Sequence, residues 1–475
     1  MIEYLSPGVY AESVNKASTP IKAVSASTGG FVGITVRGLV NVPTLVTSWQ
    51  DFLNKFAYGM ETPFLANSDL AYAVYGFFQN GGTNCYIIRT ASADVAKATC
   101  TAEGTTSTAK DEGSWANKLK LAIVANTDEA SNFNIIVKYN GDTVEQFVNV
   151  SNTAEDSNYF VDVIENSKFI ACQTGTLKVT TADLAFTGGE DGITDITDED
   201  YEKSLKLFDS VDDVNLICVP GQVSEAMTKL ILAYAENRGN VFAIVDGAKS
   251  ATVKEIATYR KNLSCKNGAL YYPWIKVSDP LSKTGKLRDC PACGHIMGMY
   301  ARTTQERGVW KAPAGVEAVL RGAVGVVSLL VKSDCDSLNP IGVNAIMPRA
   351  NYGIVVWGAR SLNPDTSMKY ISDVLLNVYI KETVKHDTQW AVFEPNNKLL
   401  WNRVKTAVTS FLDGLWRAGG LVGDSAEQAY IVKCDEELNT KESIEAGNLI
   451  CEVGYAPTNP AEFVVFRISH SISNG

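Results

Sequence analysis

Residues 390–470 read WAVFEPNNKLLWNRVKTAVTSFLDGLWRAGGLVGDSAEQAYIVKCDEELNTKESIEAGNLICEVGYAPTNPAEFVVFRISH, and the organisation of the whole chain follows from how this stretch folds. Asn396 or Asn397 offers a side-chain cap. Leu400, Val404, Val408, Phe411, Leu412 and Leu415 then recur at steps of three and four, which predicts one amphipathic helix with a single apolar stripe. Such a stripe must be covered. The runs 429–434, 448–456 and 461–469 are β-like and separated by polar, Gly- and Pro-containing turns, so they supply a sheet to cover it. The other face of the helix carries Lys398, Arg403, Lys405 and Arg417, a cationic row in a chain with 42 basic against 53 acidic residues. Nothing in this stretch looks catalytic.

With 475 residues, 45% of them hydrophobic, the chain has material for packed cores and, at roughly 150 residues each, about three domains. Its net charge of -11 argues against a nucleic-acid partner, since binding phosphate requires a local excess of cations. No N-terminal segment has the order of a signal peptide, and no apolar run approaches the ~18 residues of a membrane span, so the protein is expected to fold in the cytoplasm without a membrane partner. The cysteines at 85, 100, 172, 218, 265, 290, 293, 335, 434 and 451 are scattered and mostly sit in apolar strand-like runs. Free, buried thiols fit that pattern and a reducing compartment.

From 23 to 89 the chain reads as strand, strand, helix, helix, strand: a buried strand at 30–36, a helix start at 48–56, an amphipathic helix at 69–78 and a strand at 85–89 after the Gly81-Gly82 turn. The glycine-rich GFVGITVRG lacks both G-x-G-x-x-G and G-K-[ST], which removes the case for a nucleotide loop. Between 91 and 187 Ser, Thr, Asn, Asp and Gly dominate, and strands at 118–124, 133–139 and 144–150 flank a Tyr139-Asn140-Gly141-Asp142 hairpin turn, so a β-rich insertion is expected. The acidic run GGEDGITDITDED at 188–200 lacks the ligand register of a calcium loop and suits a linker with Thr197 or Asp198 capping the next helix. Beyond it, strands at 214–219, 241–245, 269–275 and 353–357 alternate with helices at 224–237, 253–262 and 292–303, the order of an α/β layer.

An enzyme could occupy such a layer, but His295, His386 and His470 are far apart and no G-x-S-x-G, H-E-x-x-H or comparable context accompanies them. Cys290-x-x-Cys293-x-His295 has metal-like spacing and lacks a fourth ligand nearby. No catalytic residue, metal or cofactor is expected.

The words FEPNN, LW-x-AG-x-L-x-G, a CD-containing strand and VG-x-AP-x-x-PAEFVVFRI together resemble the C-terminal domain of tail sheath proteins from contractile phage tails and related particles. Further matches extend over most of the chain: YLSPGVYAESV at the start, GFVG, SW-x-DF, FAYG and FFQNGGTNCYIIR, DEGSWANKLKLAI in the insertion, and GG-x-DG before the α/β layer. HIMGMYARTTQERGVWKAPAG is the most recognisable of them, with Arg302, Glu306, Arg307, Trp310 and Lys311 at its fixed positions; these also read as a salt-bridged helix end and turn. Gly294-His295 follows the family pattern, whereas Cys290 and Cys293 depart from it.

The resemblance implies a multi-domain, mixed α/β (α+β) protein. It has an N-terminal extended arm (1–20), an α/β sheath core (21–95 with 188–365), an inserted β-rich domain (96–187), a C-terminal tube-facing domain (366–460) and a C-terminal strand and arm (461–475). The C-terminal helix-plus-sheet domain would be completed by strands from neighbouring subunits, through Tyr4, Val9 and Tyr10 in one arm and Phe463, Val465 and Arg467 in the other. Its expected partners are other copies of itself in hexameric rings stacked helically, a tail tube protein met by Lys398, Arg403 and Lys405, and baseplate and tail terminator proteins. Such a structural, non-enzymatic subunit would contract to drive the tube through a target envelope, in a phage, a bacteriocin or an injection system. Assembly would begin in the bacterial host cytoplasm and end in the tail of the particle. A β-rich receptor-binding or baseplate-type tail protein and an enzyme with a non-obvious site are the alternatives.

Overall fold

Apolar runs without polar alternation predict strands buried on both faces, and the longest of them meet in one sheet. The computed structural model describes residues 25–57, 62–102, 105–127, 129, 131–173 and 175–463. Strands β1 (Gly29–Gly33), β2 (Thr44–Val46), β3 (Cys85–Arg89), β4 (Leu216–Cys218), β5 (Phe242–Asp246), β6 (Gly268–Tyr272), β7 (Val343–Arg349) and β8 (Gly353–Val356) run in the order β8-β7-β6-β5-β4-β1-β3-β2. Every pairing from β3 to β7 is parallel. β2 and β8 close the edges antiparallel.

Because successive strand residues point to opposite faces, each strand between the two edges feeds two cores. Phe31, Ile87, Leu216, Phe242, Ile244 and Tyr271 join one apolar cluster with helices α1 (Trp49–Phe56), α2 (Leu70–Gln79) and α6 (Cys293–Arg307). Val32, Ile88, Ile217, Ala243, Val245 and Leu270 join the other, with α3 (Asp198–Lys206), α4 (Glu225–Arg238) and α5 (Val253–Lys261). Side-chain caps start these helices where the sequence offers them: Ser48, Ser224, Thr252 paired with Glu255, and Thr197 paired with Asp200 in a capping box.

One expectation changes here. The helix at 69–78 is not amphipathic in use: Leu70 through Val74, Gly76 and Phe77 are all buried, because α2 is enclosed in the core with α6 on one side. The two helices come very close. A Cβ on Gly294 would lie 2.3 Å from the Ala73 carbonyl oxygen, one on Gly298 2.2 Å from that of Phe77, and one on Gly76 2.2 Å from His295 Nδ1. The Gly294-His295 word is therefore a packing requirement.

The insertion builds its own cluster around Trp115, Leu119, Ile123, Ile135, Val137, Phe160 and Phe186. Its hairpin joins Phe133–Tyr139 to Asp142–Val150 through Asn140 and Gly141, both at positive φ (50° and 100°), as a two-residue turn with the strands' right-handed twist requires. Two buried arginines tie it to the sheet. Arg37 pairs with Asp111 at 3.0 Å and stacks over Trp115, while Arg89 donates to the carbonyls of Gly38, Glu112 and Asp191. Asp191, from the acidic run, accepts from the Ser114 backbone and hydroxyl, so that carboxylate is used locally.

Contacts divide the chain into two compact units, Ser25–Val378 joined by residues 460–463, and Tyr379–Asn459; the boundary falls inside α7 (Ile371–Asp387). In the second unit Asn397 caps α8 (Lys398–Arg417) by accepting from the Leu399 and Leu400 amides, and Leu400, Val404, Val408, Leu412 and Leu415 are buried as the stripe predicts. Phe411 is half-buried, its ring 6.1 Å from that of Tyr379. The helix contacts β9 (Tyr430–Lys433), which pairs antiparallel with β10 (Glu452–Tyr455). The third run has no strand over 461–463, and its remainder lies outside the described residues.

Gly294→Ala and Gly298→Ala are each expected to lower unfolding free energy by about 1–3 kcal/mol through overpacking, read as a reduced urea midpoint. Gly414→Ala, in α8 with nothing within 4 Å of an added methyl, should leave stability unchanged or raise it.

Candidate assembly surface

Helix α8 begins where the FEPNN word ends, and its two asparagines divide the work of fixing it. Asn397 caps the helix; Asn396 accepts from Trp401 Nε1 at 2.7 Å and donates to the Asn448 carbonyl at 2.8 Å. The cationic row is less open than its sequence suggests. Lys398 is ion-paired with Glu436, Arg403 lies over the Trp390 ring and 3.9 Å from Glu394, and Arg417 pairs with Asp413. Lys405 is exposed and has no carboxylate partner among the described residues. Exposed pairs of this kind contribute only ~0–1 kcal/mol, so a partner's carboxylates can replace them.

Beside the helix start lies a feature that composition did not reveal. Phe393 is fully exposed (103%) at φ 66°, with Val392 and Leu399 also exposed. A left-handed backbone at a bulky residue is unfavourable by roughly 1–2 kcal/mol, and here it projects an aromatic ring into solvent.

Of the arm residues, Tyr4, Val9, Tyr10, Val465 and Arg467 lie outside the described residues. Phe463 is 73% exposed and belongs to no strand. The residue before it is firmly held. Glu462 receives two hydrogen bonds from Arg360, at 2.9 and 2.8 Å, and one from Asn339 at 2.6 Å, with Lys369 3.6 Å away. Burial works against the charge of this carboxylate, but the Arg360 and Asn339 bonds outweigh it and hold its pKa below the ordinary value. The C-terminal segment is thereby rooted on the α/β unit. Glu462→Gln is expected to weaken this root by about 2 kcal/mol, read as faster proteolysis after residue 456 with an unchanged core.

Cys290, Cys293 and His295 do not converge as ligands. The Cys290 thiol faces the Pro291 carbonyl, Cys293 interacts with Cys218 and Asp246, and His295 packs into the α2–α6 contact, where burial lowers its pKa to about 4. No group of three or more metal-ligating side chains occurs among the described residues. Instead Asp246, at the end of β5, accepts from the Ala292 and Cys293 amides and caps α6 from outside. Burial pushes its pKa up to about 6, against 3.8 in the unfolded chain. The native state then binds the extra proton, so this group's contribution to stability is present below pH 4 and is lost as pH rises to 6. Comparing urea midpoints across that window, Asp246→Asn should remove the loss.

The family-like positions at the other end of α6 form a concavity of about 470 Å³ lined by Arg302, Thr303, Glu306, Arg307, Glu317, Val319 and Arg321. Arg307 pairs with Glu317 at 2.6 Å and Lys311 approaches it at 4.0 Å, as a salt-bridged helix end and turn should. Arg302 differs: it is buried and donates to the carbonyls of Asn80 and Val319.

Comparison with known proteins gives these surfaces a context. The family model of the phage tail sheath protein central domain matches residues 194–362, and that of the phage tail sheath C-terminal domain matches 363–471. A putative prophage major tail sheath protein of Pseudomonas aeruginosa (strain UCBPP-PA14) is 24% identical over 53% of this chain and 64% of its own length. The tail sheath protein of Escherichia phage P2 is 25% identical over 56% and 66%, and that of Burkholderia phage BcepMu 24% identical over 97% and 95%. The chain thus spans just under two thirds of the first two relatives. In fold it is similar to a chain of the anti-feeding prophage baseplate (TM-score 0.63, 24% identity, 99% of this chain and 100% of that one) and to the contracted sheath complex of the extracellular contractile injection system PVC (0.63, 22%, 99% of each). A sheath tail protein from Listeria innocua aligns at TM-score 0.65 with 12% identity, covering 93% of this chain and 97% of that one. The mixed α/β architecture and two adjoining domain matches spanning more than half the sequence lead to one conclusion: the chain belongs to the phage tail sheath family.

Proposed function

We propose that this chain is the structural subunit of a contractile sheath, polymerising helically around a rigid tube and driving it through an envelope when the sheath contracts. The supporting observation is the pair of adjoining sheath-domain matches over 194–471, joined by a fold likeness that runs the length of sheath chains from two contractile particles. Contacts between copies that do not close on themselves generate a helix. Arms pairing by main-chain hydrogen bonds, each worth ~1 kcal/mol net, link the copies while the α/β units move as bodies. The energy of contraction then comes from contacts that differ between the two states, not from hydrolysis. Hexameric rings, a tube protein, a baseplate and a tail terminator complete the proposed assembly, which forms in the bacterial cytoplasm.

Deleting residues 1–17 or 461–475 is expected to leave a folded body, by circular dichroism, that no longer sediments as polymer. Truncated chains that still form ordinary tubules would contradict this role for the arms.

The proposed tube contact is the face of α8 bearing Lys398, Arg403 and Lys405. Lys405 is exposed and has no carboxylate partner among the described residues, and several weak pairs in register suit an interface that must hold and then release. Lys398→Glu with Lys405→Glu should give premature contraction or polymer without a tube, and Lys405→Glu alone should do the same in part. Stable extended tails at normal yield and salt sensitivity would assign the contact to another surface.

A further inference from the structure

Register brings two of the cysteines face to face. β9 and β10 pair Val432 with Val453 and Lys433 with Glu452, so the next step of the ladder sets Cys434 opposite Cys451. Directly opposed residues of an antiparallel pair have Cα atoms about 4.5 to 5.5 Å apart, inside the ~4.4 to 6.8 Å that a disulfide spans. Both side chains leave the ladder on the face shared by Val432 and Val453, and the two thiols interact directly. Both are free thiols in the structure.

The chain between them is already held for bridging. Asn439 donates to the carbonyls of Asp435 and Ile450, at 3.1 and 2.9 Å, and accepts from the Ile450 amide at 2.7 Å, which fixes the residue after one cysteine and the residue before the other. Cys218 and Cys293, the first residue of α6, also meet, but both are fully buried. Cys451 is only half-buried.

We propose that Cys434 and Cys451 form a built disulfide site, a dithiol in a reducing compartment that closes by exchange with a low-molecular-weight disulfide such as oxidised glutathione. The Cys451 thiolate attacks one sulfur of oxidised glutathione; that S–S bond breaks, one glutathione thiolate leaves, and a mixed disulfide forms. The Cys434 thiolate then attacks the Cys451 sulfur and expels the second glutathione. The two protein thiols lose two electrons and two protons, and the oxidised glutathione takes up both to become two thiols. Burial raises both cysteine pKa values, that of Cys451 to about 12, and the Lys405 ammonium offsets this only in part. Closure is therefore slow at neutral pH and faster in alkali. The product staples the ladder beside α8 and closes the loop of residues 435–450.

The test treats the full-length chain with oxidised glutathione at pH 7 and pH 9, followed by alkylation, digestion and peptide mass mapping. The expected product is the Cys434 peptide linked to the Cys451 peptide, about 2 Da below their summed mass. It should form faster at pH 9, be reversed by dithiothreitol and raise the melting temperature of the wild type. Cys434→Ser should instead retain a glutathione adduct on Cys451. The proposal is overturned if natively folded wild type keeps both cysteines separately alkylated or glutathionylated, or if the linkage joins either one to a different cysteine. The mapping uses wild type, so it stands even if the serine variant does not fold.

Discussion

A sheet with five parallel pairings stays folded only when water is kept from both faces, and the rest of this molecule depends on that constraint. On one face the seal comes from α2 and α6, which approach so closely that Gly76, Gly294 and Gly298 have no room for a side chain. Asp246 holds the start of α6 from the end of β5, and Arg302 holds its far half through the Asn80 and Val319 carbonyls. Antiparallel β2 and β8 finish the edges.

The unit Tyr379–Asn459 is built on the opposite principle. One helix stripe is buried, and the sheet it meets has two strands of four residues. A ladder that small is marginal in water without further strands or packing. Joined in one chain, a self-sufficient body and a ladder of only two strands suit the proposed polymer, in which bodies would shift as rigid pieces and neighbours would add strands to the ladders. Glu462 anchors residues 460–463 to the α/β unit through the Arg360 pair. Phe393 adds an exposed ring beside that helix, and Lys405 on it is a cation with no carboxylate partner among the described residues.

Much of this was legible because local signals agreed with the fold. The α8 stripe, the Asn397 and Thr197 caps and the Asn140-Gly141 turn each have a short-range cause, and the structure uses each one. Where signals were ambiguous, tertiary context decided. The period of α2 suggested one exposed face, but enclosure by the sheet and α6 buried nearly all of it. β7 and α7 lie beyond the expected elements: Pro348 interrupts the first as a strand signal although it falls beside the antiparallel edge strand, and the apolar residues of 371–384 surround α7 without a single clear stripe. Family words proved informative for a physical reason, since Gly294-His295 marks a close helix crossing, FEPNN a helix cap and Glu462 a clamp. The partners of Lys398 and Arg403 come from residues distant in sequence or from an irregular loop, and no spacing rule announces them.

The most direct measurement is electron microscopy of the full-length chain expressed with and without a tube protein, with helical reconstruction of whatever polymer forms. Hollow cylinders of stacked rings are expected, with the α/β unit of this chain fitting the density as a body and the β9–β10 ladder extended by strands from other copies. Discrete closed particles, or a helical polymer in which every ladder keeps only its own two strands, would contradict a sheath subunit linked through its arms.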